Sequence, residues 1–389
     1  MVEICSIGSL LERKRTKAKD QYSNAPVYAV TNNRGFVLSS SLHDFDIFSD
    51  DTSNYMVVSK NDFAYNPSRL NVGSIAYFKE EDNGLISPMY VVFHADENKI
   101  LAEYLYIVIK SEFVRNKIDA LKEVGARFRF DFNRWDLIKI PIPSLEEQTR
   151  IVGILDTFTS AIDNLKEQIA QRRKQYEHYR DQLLDLEGKE GVEKKVLGSF
   201  GDVTKLAGFE FTEHVVYQES GHIIALRGLN VRDGHLDLSQ VKYIDGSNFS
   251  KLVRSKLIKD DMLFTYVGTI GNVALIDENE KYYLAPNVSR IRFDKEIVNP
   301  KFVLYYFLSD YFKRTQINKY LNSSSMKNLS MENIRKFELN LPKLDEQSRI
   351  VSILDTFEAS IQNLEAQLKE RQKQYEYYRN KLLTFEKAE

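Results

Sequence analysis

The stretch EEQTRIVGILDTF (146–158) returns as DEQSRIVSILDTF (345–357) after almost two hundred residues of different text. At an offset of 199 the agreement covers 145–187 and 344–386, with about 25 of 43 positions identical, including RKQYEHYRDQLL (173–184) against QKQYEYYRNKLL (372–383). Such a repeat sets the architecture before any single element is assigned, because one chain must build the same unit twice.

Each copy begins just after a proline, Pro143 or Pro342. Ser144 followed by Glu147 spells a capping box for the first copy, whereas Lys343 at the serine position requires a different cap for the second. In the first copy Ile151, Leu155, Phe158, Ile162, Leu165, Ile169, Arg172, Tyr176, Tyr179, Leu183 and Leu186 recur in alternating steps of four and three. The second repeats this as Ile350, Leu354, Phe357, Ile361, Leu364, Leu368, Arg371, Tyr375, Tyr378, Leu382 and Phe385. That spacing, held over about five heptads, predicts one long helix per copy with a coiled-coil seam. The seam could join two chains. The reading adopted is that the copies pair with each other, antiparallel and about a pseudo-twofold axis. Arg172 and Arg371, lone polar residues at matching seam positions, are then expected to set the register.

The repeat also has an entrance: VEICSIGSL (2–10) resembles VEKKVLGSF (192–200), and EGKEGVEKK (187–195) reads as a charged, glycine-bearing linker. The chain therefore divides as domain 1–143, helix 144–187, domain 188–342 and helix 343–389. Short alternating runs in the first domain, VYAVTN (27–32), YMVVS (55–59), SIAYF (74–78) and MYVVF (89–93), predict strands, followed by a helix over 102–124. In the second, GHIIALRGL (221–229), DMLFTYVG (261–268), GNVALID (271–277) and VSRIRF (288–293) do the same, with a helix over 300–320. The fold class is α+β, with two mixed domains of one style but different loop text.

Composition excludes several functions. The apolar runs are too short to span a bilayer and no signal-like leader opens the chain, so a cytoplasmic protein is expected. One cysteine, Cys5, and six scattered histidines leave no thiolate cluster or zinc-binding spacing. Net charge is −2, which is not the footprint of a protein that grips nucleic acid unaided. Lys and Arg against Asp and Glu number 18 to 19 in 1–140 and 22 to 19 in 188–340.

These features together resemble the specificity subunits of type I restriction–modification systems. The resemblance covers essentially the whole chain and rests on the two helical repeats, the two variable regions, NPSRLNVGSIAYF (66–78) and KDDMLFTYVGTIGNVALI (259–276). It implies that each variable region reads one half of a bipartite, asymmetric site in double-stranded DNA. It further implies that the helices act as spacer and hold two methyltransferase subunits, with restriction subunits joining through the complex. No cofactor would belong to this chain.

Enzymatic readings fare poorly. YNPS (65–68) is similar to the motif that positions a flipped adenine, yet Ser68 and Arg69 replace its proline and aromatic, and no GxGxxG cofactor loop accompanies it. VGTIGN (267–272) reads as a tight turn, no Walker A lysine is present, and the carboxylates are dispersed. The chain is expected to be non-catalytic and without a metal.

Base edges call for polar and basic side chains on loops. The first-domain candidates are Asn32, Asn33, Arg34, Asn66, Ser68, Arg69, Asn71, Arg127 and Arg129, with RKRTKAK (13–19) suited to phosphates. The second-domain candidates are Arg227, Asn230, Thr265, Tyr266, Thr269, Asn287, Arg290, Ser323, Ser324, Lys327 and Asn328. Turn chemistry or a solvated loop is the plainer alternative for any one of them. RFRFDF (127–132) reads as a strand with outward arginines, and SSSMKN (323–328) as a flexible basic loop. With neither domain basic, base readout by this chain and phosphate clamping by its partners is the consistent division. The rival is a non-catalytic coiled-coil scaffold whose end domains bind proteins.

Overall fold

The computed structural model describes residues 2–19, 22, 24–32, 34–41, 51–121, 128–206, 211–321 and 328–385. It forms two compact units: residues 1–166 with 366–389, and residues 167–365.

The first unit holds strands β1 (Glu3–Ser6), β2 (Leu11–Lys14), β3 (Val27–Thr31), β4 (Gly35–Leu38), β5 (Met56–Val58), β6 (Phe63–Tyr65), β7 (Ile75–Tyr77), β8 (Gly84–Ile86), β9 (Val91–Ala95) and β10 (Lys139–Ile142). One sheet has the order β2-β9-β6-β7, entirely antiparallel; a second, β4-β3-β8-β5, contains the parallel pair β3–β8. Phe63, Tyr65 and Phe93 point from the first sheet into a core closed by Trp135 and by helix α1 (Ala102–Ile109). The helix expected over 102–124 is broken. The side chain of Ser111 accepts from Val114 N–H and starts a separate helix α2 (Glu112–Ala120), because a serine there can satisfy the amides of a new first turn.

The second unit contains β11 (Glu193–Val196), β12 (Gly201–Thr204), β13 (Ile224–Leu226), β14 (Val231–Arg232), β15 (His235–Leu236), β16 (Met262–Thr265), β17 (Val273–Leu275), β18 (Tyr282–Leu284), β19 (Val288–Phe293) and β20 (Glu338–Leu341). Its antiparallel sheet β12-β19-β16-β17 repeats β2-β9-β6-β7 strand for strand, and the parallel pair β13–β18 repeats β3–β8 without the flanking strands β4 and β5. The expected helix over 300–320 is also interrupted. Long helix α3 spans Leu145–Leu184; α4 spans Pro300–Leu308, after which Ser309 accepts from Phe312 N–H and opens a new turn, as Ser111 does. A short helix α5 (Met331–Arg335) precedes β20, and α6 spans Leu344–Leu382.

Likeness that the loop text conceals is thus present in the backbone. Asp62, before β6, is fully buried, accepts from Ser59 N–H, and is held by Lys14 at 2.7 Å and His94 at 2.9 Å. Asp261, before β16, is equally buried, accepts from Ile258 N–H, and receives both arms of Arg292 at 2.7 Å. Asn61 and Asp260, the preceding residues, both have φ near +70° (66° and 71°), a conformation that Asn and Asp tolerate best among residues with a Cβ. A carboxylate buried this way needs both a counter-charge and backbone donors.

The entrance and exit of each domain pair as antiparallel strands, Cys5 opposite Ile140 in β1–β10 and Lys195 opposite Leu339 in β11–β20. Directly beyond, the long helix is pinned by a buried glutamine. Gln148 accepts from Leu101 N–H (2.9 Å) and donates to Lys99 O (2.8 Å) and Pro143 O (2.9 Å). Gln347, its repeat, accepts from Asn299 N–H (2.8 Å) and donates to Ile297 O (3.2 Å) and Pro342 O (2.8 Å). Ser144 accepts from Glu147 N–H, but Glu147 turns away from the capping box to bind Arg150 with both oxygens; Glu346 does the same with Arg349.

In the first unit the early half of α3 lies against the late half of α6, with Ile151 and Leu155 packed in the core beside Tyr375 and Leu382. In the second unit the late half of α3, through Tyr176, Leu183 and Leu184, meets Ile350 and Leu354 from the early half of α6. Both pairings are antiparallel and intramolecular. Leu155, Ile162, Ile169 and Leu354 are buried, and Phe158, Leu165, Tyr176, Leu183, Phe357, Ile361, Leu364, Leu368, Tyr375 and Leu382 half-buried. The seam arginines do not act as buried register pins. Arg172 and Arg371 bond Gln175 and Gln374 one turn along their own helices, and Arg371 lies over the Phe158 ring at 5.9 Å. A guanidinium without a buried carboxylate is better placed reaching towards water.

Candidate nucleic-acid interface

In the first unit three loops converge. The β3–β4 hairpin presents Asn32 and Arg34, both exposed. The β6–β7 turn exposes Ser68 and Arg69 and half-exposes Asn71. The third segment reaches this turn through Phe130 N–H, which donates to Pro67 O at 3.0 Å, placing exposed Arg129 beside it. The strand expected over RFRFDF does not form in its described part: 128–131 are irregular and Phe132–Leu137 is a tight 3-10 turn. Phe130 is nevertheless buried against Trp135 (centroids 4.9 Å) while Arg129 faces solvent near Asp131 (3.5 Å).

The second unit uses the corresponding loops. The turn after β13 carries Arg227, the β16–β17 turn carries Thr269, and Leu329 N–H donates to Tyr266 O at 3.0 Å, as Phe130 does to Pro67. Asn328, exposed, bridges to Val267. Between the first two loops lies a groove lined by Tyr217, Arg227, Arg232, Thr269 and Asn287, with Leu229 and Val267 adding apolar surface. The β16–β17 turn depends on Gly271, whose φ is +93° and where a Cβ would press on Ile317.

Several candidates face inward. Asn66 is buried and its Oδ1 accepts from Ser68 N–H (2.9 Å), so it shapes the turn. Thr265, buried, donates to Thr269 O (2.5 Å) and accepts from Asn272 N–H (3.0 Å). Asn230, fully buried, accepts from Arg227 N–H and donates to Asp237 O and Gln240 O. Arg290 is buried against Asp202 and Thr204. Tyr266 is buried beneath Lys205, and desolvation raises its hydroxyl pKa. The Arg227 guanidinium donates to Gln240 O at 2.9 Å, which holds it at the groove wall. In the block 13–19, Lys14 is committed to Asp62, Arg13 covers Phe132, Lys17 binds Asn54 and Ala18 is core. Asn33, Arg127, Ser323, Ser324 and Lys327 lie outside the described residues.

Sequence reading missed Tyr217 and Arg232 of the groove, which carry no motif, and Gln148 and Gln347, which the repeat does contain. It also missed two matched niches on the helix pair. Phe158, Tyr378, Arg371 and Gln374 line one, within the first unit; Phe357, Tyr179, Arg172 and Gln175, each their counterpart at offset 199, line the other within the second. The tyrosines are exposed, 40% and 45%, although they sit on the seam spacing. Among the described residues, no cluster of His, Cys, Asp and Glu is placed to hold a metal, and no helix is long and apolar enough to cross a membrane.

The family model for the type I restriction modification DNA specificity domain matches residues 1–172 and 193–373. The chain is 28% identical over 400 residues to the type I restriction enzyme EcoR124I/EcoR124II specificity subunit of Escherichia coli, covering 96% of this chain and 90% of that one. In fold it resembles a chain from a structure of type I R-M complex assembly and conformational transition, with TM-score 0.61, 17% identity and coverage of 98% and 97%. It also resembles the type I S subunit of M. genitalium, with TM-score 0.56, 13% identity and coverage of 99% and 97%.

Proposed function

The chain belongs to the type I restriction–modification DNA specificity family, and on that premise we propose that residues 1–143 and 188–342 each read one half of a bipartite DNA site. As a specificity subunit it directs chemistry performed by methyltransferase and restriction subunits and is not itself an enzyme. The protein-scaffold alternative is set aside by the family match. The observation that carries the two-half reading is the shared frame: in each domain the segment after β3 or β13, the β6–β7 or β16–β17 turn, and the segment bonded to Pro67 O or Tyr266 O carry different side chains. The first set offers Asn32, Arg34, Ser68, Arg69, Asn71 and Arg129. The second offers Arg227, Arg232, Thr269, Asn287 and Asn328, with Leu229 and Val267 suited to thymine methyl groups.

The long helices, of 40 and 39 residues, are the spacer. At about 1.5 Å per residue each is roughly 60 Å long. The two Phe–Tyr–Arg–Gln niches each receive one methyltransferase subunit, because a duplicated surface favours two copies of one partner. Phosphate clamping falls to those partners, since the recognition domains are near neutral. The complex works in the cytoplasm. The test is exchange of residues 1–143 for the matching region of another family member, followed by sequencing of the methylated sites. One half-site should change and the other persist; a change in both halves would refute independent reading.

A further inference from the structure

We propose that Lys110 is a positioning residue for the first half-site, tying two DNA-reading loops into one rigid surface. This rests on the assignment of those loops to DNA reading. Lys110 caps the C-terminus of α1 and is not itself at a loop tip. Its Nζ donates to Gly73 O at 2.7 Å, at the end of the β6–β7 turn, and to Asn32 O at 3.4 Å, in the β3–β4 hairpin. The ammonium also sits over the Tyr106 ring, 5.4 Å from its centroid, which fixes the side chain from below. One charged donor therefore joins the backbone that carries Asn32 and Arg34 to the turn that carries Ser68, Arg69 and Asn71.

Base reading requires side chains on separate loops to meet base edges in a set geometry, and a displacement near 1 Å is enough to disrupt a paired contact. Backbone carbonyls are suitable anchors because their position moves every side chain on the loop together. Gly73 has φ of +92°, a conformation that suits glycine, and a Cβ there would stand 3.4 Å from the Lys110 ammonium. The device belongs to one half only. The residue before the capping serine is Lys110 in the first unit and Leu308 in the second, where it packs under Gly234 instead.

The experiment compares intact complexes assembled with wild-type chain, Lys110→Met and Gly73→Ala, each methylating a randomised site library that is then sequenced. Met preserves the length and apolar stem of Lys but removes charge and donors. Sites bearing one altered base in the first half should gain methylation about fivefold or more in both variants, while the second half stays as selective as wild type. A merely structural role would lower total methylation and leave the preferred sequence unaltered. If Lys110→Met assembles and its first half-site is as selective as wild type, the proposal is wrong. Should Lys110→Met fail to fold, Gly73→Ala decides the matter by the same readout. A wild-type complex with no bipartite preference would instead overturn the functional reading itself.

Discussion

The ring of Phe158 lies 5.2 Å, centroid to centroid, from that of Tyr378, and the repeat counterparts Phe357 and Tyr179 lie 5.4 Å apart. Each pair takes its phenylalanine from one copy and its tyrosine from the other. Duplicated helices can do this when they pair antiparallel, so that the early part of each copy meets the late part of the other. Arg173 and Glu365, 2.5 Å apart, and Tyr176 and Glu358, 3.4 Å apart, secure the second unit's pairing.

The exposed tyrosines provide the first prediction. Tyr179→Ala and Tyr378→Ala should each cost only about 1 to 2 kcal/mol of fold stability, because each ring is 45% or 40% exposed and gives up one phenylalanine contact. Each should reduce methyltransferase stoichiometry from two to one in native mass spectrometry. Retention of two copies by both variants would exclude the niches as docking sites.

Gln148→Leu and Gln347→Leu test the helix anchors. Each removes a donor and an acceptor from a fully buried site and leaves backbone groups without partners. A loss of about 2 to 4 kcal/mol is expected for each in urea unfolding. A loss below about 0.5 kcal/mol would mean that the helix start is held by other contacts.

Within the second domain, burial separates reading from support. Thr269→Ala, at an exposed groove position, should alter the second half-site with stability unchanged within about 0.5 kcal/mol, whereas Asn287→Ala should alter it at some cost in stability, because Asn287 has φ of +71°. Thr265→Ala, beneath them, should destabilise by about 1 to 2 kcal/mol through the loss of its turn hydrogen bonds. Selected methylation sites and denaturation midpoints decide between the two kinds of effect.

Lys110 gives a pH signature. Burial lowers its pKa to about 8, with Arg115 adding repulsion. The unfolded chain therefore binds more protons than the folded one between about pH 8 and pH 10, and stability due to this group rises with pH across that window. Wild type should gain on Lys110→Met between about pH 7.5 and 9.5 in urea unfolding; a constant difference would contradict the lowered pKa.

Inserting one heptad into each long helix preserves the seam register and adds about 10 Å. The unspecified spacer between half-sites should lengthen by about two or three base pairs at roughly 3.4 Å each, with the half-site sequences unchanged. An active variant with the original spacer would show that the helices do not measure the distance.

Much of this organisation is a local property of the chain. Two helices, their seam and their equivalence follow from a four-three spacing written twice, because a helix places residues on its faces by count alone. The VGTIGN turn was legible too, because its paired glycines supply the positive φ that Gly268 and Gly271 adopt. The helix breaks at Ser111 and Ser309 were less so, since a serine continues a helix or caps a new one according to what packs around it. Tertiary packing alone decided which loop residues face outward. Asn66, Asn230 and Thr265 have the chemistry of base readers but are enclosed and bonded within their turns, while Tyr217 and Arg232, which carry no motif, line the groove. It also decided that Lys110, an unremarked residue at a helix end, meets Gly73 and Asn32. Spacing along a chain records which residues share an element, but not which carbonyls from separate elements converge on one ammonium.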